Sequence, residues 1–126
     1  MPKVSRESAK QGGEFGSVTD RSDELEGYTV NFTSFAVDMD QRPMLKGLPD
    51  DQCQCPHWGY VLKGSFTFHS GEREEVFKAG DAYYLPPGHA GVGNEPGSEM
   101  VQFSPSRELK KTEETIIKNM QAGQAG

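Results

Sequence analysis

Residues 50–64 read DDQCQCPHWGYVLKG, and residues 80–94 read GDAYYLPPGHAGVGN. The first segment places Cys53 four residues before His57, so an extended strand would point both side chains to one face. The second segment ends a short apolar run with two prolines and a glycine, which form a rigid turn directly before His89. The two segments therefore predict short strands whose ends carry thiol and imidazole groups.

The neighbouring sequence alternates short runs of β-branched and aromatic residues with turn residues. Strands are predicted over residues 28–37, 53–63, 65–70, 74–78, 82–85 and 99–103. The stretch 38–51 contains prolines, a glycine and several aspartates, and is predicted to be a loop. Short strands at close and regular spacing indicate an all-β sandwich or barrel.

Both ends of the chain depart from this pattern. Residues 1–26 are polar and charged, which predicts a mobile or loosely packed N-terminal arm. The alternative is an edge strand around residues 15–18 that packs on the barrel or on a neighbouring subunit. The predicted domain division is an arm over 1–26, a barrel over 27–104, and a C-terminal helix and tail over 105–126.

The C-terminal helix is predicted to begin with Ser104 as its cap and Pro105 at its first position. Leu109, Ile116 and Met120 fall on one helical face, which we expect to pack against the outside of the barrel. The last six residues, QAGQAG, are predicted to be a frayed tail.

Composition excludes several classes of function. The chain has 126 residues, a formal net charge of −6 and a pI near 5.0, which argue for one domain and against nucleic acid as a partner. It contains no apolar run long enough to span a membrane, and its first residues lack the apolar core of a secretory signal. We therefore expect a cytoplasmic protein without a membrane partner, whose two cysteines are not a disulfide framework.

The two segments resemble the two signature motifs of the cupin superfamily, specifically its small single-domain bacterial members. Gly80, Pro86 and Gly88 fit the second motif, G-x5-P-x-G-x2-H-x3-N, without adjustment, and the YVLKG sequence ending at Gly64 resembles the close of the first motif. The resemblance covers about residues 28–104. It implies a cupin-type double-stranded β-helix, a jelly-roll barrel, with the C-terminal helix and N-terminal arm added to it.

The sequence departs from the cupin motifs at the metal ligands. When the first motif is aligned on its final glycine, His57 occupies the position of the glutamate, Cys53 that of the second histidine and Asp51 that of the first. In the second motif Gly91 stands at the histidine position, and His89 lies two residues earlier. The resemblance thus implies an altered site in place of three histidines and one glutamate.

The resulting hypothesis is a metal site formed by His57, His89 and Cys53, with Cys55 as a weaker fourth candidate. Thiolate and imidazole donors suit Zn, Fe, Ni or Cu. The alternative is a pair of hydrogen-bonded core histidines with two buried structural thiols, since free cysteines are often buried. Pro56 leaves the direction of the Cys55 side chain open.

Other residues are expected to line the barrel pocket. Gly59 would leave space beside His57, Tyr83 would offer its hydroxyl to a ligand, and Phe66 would form part of the lining. Trp58 and Tyr60 fall on the strand face opposite to His57. They are therefore expected to pack between the sheets or under the C-terminal helix.

Two classes of function follow from these expectations. One is a metal-dependent enzyme that acts on a small organic molecule as an isomerase, a lyase or a dioxygenase. The alternative is a non-catalytic small-ligand binding or sensor cupin without metal. In either case the expected assembly is a homodimer formed through an exposed sheet edge.

Overall fold

The computed structural model describes residues 1–125 and contains nine strands and one long helix. The strands are β1 (Gln11–Phe15), β2 (Val18–Leu25), β3 (Tyr28–Phe35), β4 (His57–Lys63), β5 (Ser65–Ser70), β6 (Arg73–Lys78), β7 (Ala82–Leu85), β8 (His89–Asn94) and β9 (Ser98–Pro105). The helix, α1, spans Ser106–Ala125, and two short 3-10 turns, Arg42–Leu45 and Pro49–Asp51, lie between β3 and β4.

The strands form two antiparallel sheets. The larger sheet has the order β1-β2-β3-β9-β4-β7, and the smaller sheet has the order β6-β5-β8. Apolar side chains from both sheets meet in one core, which contains Phe35, Val61, Phe66, Phe68, Tyr83, Leu85 and Met100. A second apolar cluster joins the loop before β4 to the helix and contains Leu45, Cys53, Cys55, Ala90 and Leu109.

Tight turns fix the pairing of neighbouring strands. Glu26 and Gly27 both have positive φ, at 48° and 83°, and connect β2 to β3 in a two-residue turn. Positive φ at both positions matches the right-handed twist of a hairpin. The resulting register pairs Asp20 with Thr33 and Ser22 with Asn31, so these four side chains share one face of the sheet.

The predicted all-β fold with a C-terminal helix is confirmed, but residues 11–25 do not form a loose arm. They form the β1–β2 hairpin, which pairs with β3 at one edge of the larger sheet. The alternative expectation of an edge strand is nearer to the structure, although residues 16–17 are the turn and not the strand itself. Strand β8 was also not predicted, because its sequence, HAGVGN, lacks apolar alternation.

The helix differs from its prediction in three respects. Ser104 is a buried residue of β9 and not a helix cap, because the strand continues to Pro105. The helix extends through residues 121–125, which were predicted to fray, and Gly126 lies outside the described residues. The predicted apolar face is correct, but Leu109, Ile116 and Met120 border a cavity between the helix and the sheets, which the sequence did not predict.

The outer face of the larger sheet also differs from expectation. Trp58 and Tyr60 lie neither between the sheets nor under the helix, since they are 44% and 43% exposed. Trp58 packs against Tyr28 and Tyr84, with ring centroids 6.2 Å and 5.0 Å away. Within residues 1–125, no helix is both long and apolar enough to cross a membrane.

Candidate metal centre

A cavity of about 420 Å³ lies between the larger sheet, the smaller sheet and α1. This volume is within the usual range for small-molecule sites. Cys53, His57 and His89 all contribute to its lining, as do residues of β2, β3 and the helix. The three residues that the sequence singled out therefore face one cavity.

Backbone pairing between two loop ends brings Cys53 to His89. The amide of Cys53 donates to the carbonyl of His89 over 2.8 Å, and the amide of His89 donates back to the Cys53 carbonyl over 3.2 Å. Cys53 is thus held by an isolated bridge to β8, outside the strand predicted over 53–63, which begins only at His57. Asp51 is exposed and accepts a hydrogen bond from the Gly47 amide, so it serves the turn.

The ligand atoms of Cys53, His57 and His89 all lie within 4.8 Å of one another, and all three residues are buried. The Cys53 sulfur lies 3.4 Å from Nε2 of His57. The two imidazole rings meet edge to face, with centroids 5.0 Å apart. One sulfur and two nitrogen donors at this spacing form three sides of a transition-metal site.

The outer nitrogen of each histidine is already occupied. Nδ1 of His57 lies 2.6 Å from the hydroxyl of Ser104, and Nδ1 of His89 donates to the Pro86 carbonyl over 2.7 Å. Because a carbonyl can only accept, His89 carries its proton on Nδ1 and leaves Nε2 unprotonated. Metal-binding histidines are usually oriented in this way by a partner behind the ring.

Burial keeps all three groups uncharged. It lowers the pKa of His57 to about 3, with a further contribution from His89, and it also lowers the pKa of His89. Burial raises the pKa of the Cys53 thiol. Neutral imidazoles are the metal-binding form, whereas a protonated thiol beside a neutral histidine is a poor nucleophile. The two imidazoles are thus in their metal-binding form, whereas the Cys53 thiol would have to lose its proton to a bound cation before it could act as a ligand.

Cys55 does not join this group. Its side chain is 1% exposed within the apolar cluster beneath the helix, and its sulfur lies 3.4 Å from the Pro56 carbonyl. Burial first, and then nearby negative groups, raise the pKa of Cys55 to about 12. Cys55 is thus a buried thiol of the apolar cluster, apart from the three donor atoms.

None of the three residues predicted to line the pocket contributes to the cavity wall, and two of them, Phe66 and Tyr83, belong to the core. Phe66 is 2% exposed, and Tyr83 donates its hydroxyl to Oε1 of Gln102 over 2.7 Å. A Cβ added at Gly59 would come within 2.4 Å of the Tyr83 ring. The space expected beside Gly59 is therefore filled by Tyr83.

Gly91 and His89 show how the second motif has changed. Both residues line the cavity, so the two-residue displacement of the histidine keeps it on the inward side of β8. The space that a side chain at Gly91 would need is filled by Gln41, whose amide carbon would lie 2.8 Å from an added Cβ. A neutral amide thus stands where the resemblance places a histidine.

Sequence reasoning missed several residues that complete the cavity. Ser104, read as a helix cap, lies behind His57, while Asp20, Asn31 and Glu113 add polar groups to the lining. Asp20 is on β2, in the segment predicted to be a loose arm. Its alternation with Val18 and Ser22 was the available signal, but these residues share too little apolar character to indicate a buried face.

Comparison with solved structures identifies the architecture. An RmlC-like cupin from Shewanella frigidimarina superposes with a TM-score of 0.57 at 19% identity, covering 83% of this chain and 91% of that one. The polyketide cyclase RemF from Streptomyces resistomycificus gives a TM-score of 0.55 at 19% identity, covering 83% and 79%. No family profile and no curated protein sequence matches the chain.

The fold is that of a cupin. A third solved structure, Fe(II)-HppE, superposes with a TM-score of 0.57 at 9% identity and covers 82% of this chain and 60% of that one. At such identities the similarity establishes the cupin jelly roll alone. The chemistry of the site rests on the residues of this chain.

Proposed function

We propose that this cupin binds a divalent transition metal through Cys53, His57 and His89 and acts on a small organic molecule held in the adjoining cavity. The observation that carries the proposal is the convergence of three buried donor atoms within 4.8 Å on one wall of that cavity. Isomerase, lyase and dioxygenase reactions are the candidates. The Fe(II) of the HppE structure shows that this fold can hold such a metal in another protein.

The donor set fits Zn, Fe, Ni or Cu better than a hard cation. A thiol and two imidazoles are soft or borderline ligands, whereas magnesium and calcium prefer oxygen. A bound ion of this class supplies Lewis acidity toward a substrate oxygen. The three protein donors leave at least one coordination position for substrate or water, as catalytic sites require.

The protein's own contribution is orientation and exclusion of water. Ser104 and the Pro86 carbonyl fix the two imidazole rings from behind, and Thr112 of the helix approaches the Cys53 sulfur at 3.9 Å. The helix covers the cavity with apolar side chains, including Leu109 and Ile116. A substrate there would be partly removed from solvent, which strengthens electrostatic interactions with it.

Metal analysis of protein purified without an affinity tag tests the proposal directly. Wild type and Cys55→Ala should each contain, or take up on addition of Fe, Zn, Ni or Cu, one metal per chain. Cys53→Ala should lose stoichiometric binding, because a donor is removed. Cys55→Ala is the matched control, since it removes the neighbouring buried thiol outside the donor group.

Two results would count against metal binding. One is the absence of stoichiometric metal in wild type after all four ions have been offered. The other is equal metal content in Cys53→Ala and wild type.

The second candidate function is a metal-free small-ligand binding or sensor protein. It is favoured by the hydrogen-bonding contacts of the three residues. Cys53 contacts His57, and Nδ1 of each histidine has a partner, so most of these polar atoms are satisfied without an ion. This function predicts that ligand-induced thermal stabilisation survives treatment with a chelator. Loss of stabilisation on chelation would instead support the metal-dependent site.

We further propose that the protein forms a homodimer through the side of the larger sheet that ends in β7. This strand is at the sheet edge, and the outer face beside it carries exposed aromatic side chains. Trp58 and Tyr84 pack together there and adjoin Tyr28. A two-fold axis beside β7 would pair both the free strand edge and the aromatic face with their own copies.

A further inference from the structure

The cavity wall formed by β2 and β3 carries polar groups beside its apolar side chains. Asp20 and Glu113 are the charged residues among its described lining, and no lysine or arginine contributes to it. Neither carboxylate belongs to any ion pair formed within residues 1–125. Two negative groups thus face the same space without a cation supplied by the protein.

Hydrogen bonds fix the carboxylate of Asp20. Nδ2 of Asn31 donates to both of its oxygens at 3.1 Å, and the hydroxyl of Thr33 donates to Oδ1 at 2.9 Å. These donors come from the neighbouring strand, where Thr33 is the register partner of Asp20. A carboxylate held by two donors keeps further acceptor capacity for a ligand.

A buried acceptor beside Asp20 lacks a donor. Oδ1 of Asn31 is buried and has no hydrogen-bond partner in the part of the chain that the structure describes. The amide cannot simply be reversed, because its oxygen would then face the Asp20 carboxylate. Unpaired buried acceptors are uncommon and costly, so this part of the cavity is short of hydrogen-bond donors.

Glu113, on α1, is the second carboxylate of the cavity lining. Its side chain is exposed while it also lines the cavity, which places it at the mouth. Partial burial there, together with the Asp20 carboxylate, raises the pKa of Glu113. The two carboxylates therefore interact unfavourably, and a cation between them would relieve that repulsion.

The remaining walls suit a flexible apolar chain. Four of the five methionines line the cavity, namely Met39, Met44, Met100 and Met120. Methionine side chains are unbranched and polarizable, so they adapt to ligands of different shape. Apolar side chains of the helix complete this surface.

We infer that the cavity takes a small primary amine with a short apolar chain, whose ammonium group binds at Asp20 and Glu113 while the chain packs on the methionines. The inference rests on the proposed function only in treating the cavity as the ligand site. A carboxylate or phosphate compound is disfavoured, because it would add negative charge to a partly desolvated acidic site. An alcohol of equal length should bind with intermediate affinity, because it donates a hydrogen bond without a charge.

Calorimetric titration of metal-free, full-length protein near neutral pH tests this order with n-hexylamine, 1-hexanol and hexanoate. Removal of metal by a chelator ensures that the amine cannot bind as a metal ligand. The dissociation constant for hexylamine should be at least about tenfold lower than that for hexanoate, since attraction is exchanged for repulsion. Equal affinities, stronger binding of hexanoate or no binding of any probe would each overturn the inference.

Glu113→Gln and Asp20→Asn locate the charge recognition. Each should weaken hexylamine binding by up to about fivefold, the upper range for a partly exposed ion pair, and leave hexanol binding unchanged. Glu114→Gln is the matched control, because Glu114 is the next residue of the helix, is exposed and does not line the cavity. If Glu114→Gln weakened amine binding as much as Glu113→Gln, general electrostatics would explain the preference and the inference would fail.

Two features keep the outcome clear. Glu113 is exposed on the helix and accepts no hydrogen bond among those found within residues 1–125, so its variant tests recognition even if Asp20→Asn unfolds. Metal content is measured separately on the same preparations. Loss of metal binding with an intact amine preference would therefore overturn the metal proposal alone, and the reverse result would overturn only the amine inference.

Discussion

The hydroxyl of Ser104 determines how His57 faces the cavity. It lies 2.6 Å from Nδ1 and is itself fully buried, so it holds the ring with Nε2 directed toward Cys53. No metal-ligand pattern in the sequence includes this serine, which lies 47 residues after the histidine. Its role depends on β9 lying beside β4 in the larger sheet.

Ser104→Ala should weaken metal binding without removing a ligand. Loss of the partner behind a metal-binding histidine usually reduces affinity by about 10- to 100-fold, and we expect a reduction in this range by competitive chelator titration. Ser98→Ala is the matched control, because Ser98 is also a fully buried serine of β9 but hydrogen-bonds to Ser65 away from the histidines. Unchanged affinity in Ser104→Ala, or equal loss in both variants, would contradict the positioning role.

At the scale of elements, strands with apolar alternation were predictable, whereas β2, whose inward face is partly polar, was not. The strands over 65–70 and 82–85 were predicted with the bounds that the structure has, because each carries bulky apolar side chains on its inward face. Strand β2 instead directs Val18, Asp20 and Ser22 inward. Polar residues are tolerated there because the strand borders a cavity, and a core would exclude them.

The helix could be predicted as an element, but its position could not. Its apolar residues recur at helical spacing, yet the same spacing is expected for packing outside the barrel and for covering a cavity. The position of the helix depends on the loop before β4, whose Leu45 and Cys53 join Leu109 in one apolar cluster. Such contacts between segments distant in sequence leave no local pattern.

Leu109→Ala should therefore destabilise the whole domain and not merely the helix. Leu109 is 8% exposed, and removal of a buried leucine side chain costs about 2–5 kcal/mol. Ile117→Ala is the control on the same helix, since Ile117 is 51% exposed and should cost well under half as much. Urea unfolding measures both free energies, and equal values would show that the helix does not contribute Leu109 to a shared core.

At the scale of the molecule, the sequence predicted where the site lies more accurately than which residues line it. Cys53, His57 and His89 were named from two motifs that lie on different strands and loops, and the structure brings all three together. The order of the two motifs predicted the barrel fold, and that fold brings the three residues close together. Gly59 and Tyr83 were predicted to line the pocket, but they are paired on neighbouring strands and the Tyr83 ring fills the space above Gly59. Alternation along one strand does not indicate how a side chain packs on the next strand.

The exposed aromatic side chains on the outer face of the larger sheet favour association of two copies of the chain. Trp58, Tyr60 and Tyr84 are each more than 40% exposed on neighbouring strands of the larger sheet. Aromatic side chains are enriched in protein interfaces, and clustered exposed apolar groups usually mark a contact surface. The free edge of β7 beside them offers backbone hydrogen bonds to a second copy.

Light scattering should therefore give about twice the 13.9 kDa chain mass for wild type. Trp58→Lys should shift the protein toward monomer, because it places a charge at the centre of the aromatic face. Val76→Lys is the control: Val76 is 53% exposed on the smaller sheet, where no such cluster lies, and this variant should remain dimeric. A monomeric wild type would refute the dimer, and dissociation of both variants alike would show that the interface lies elsewhere.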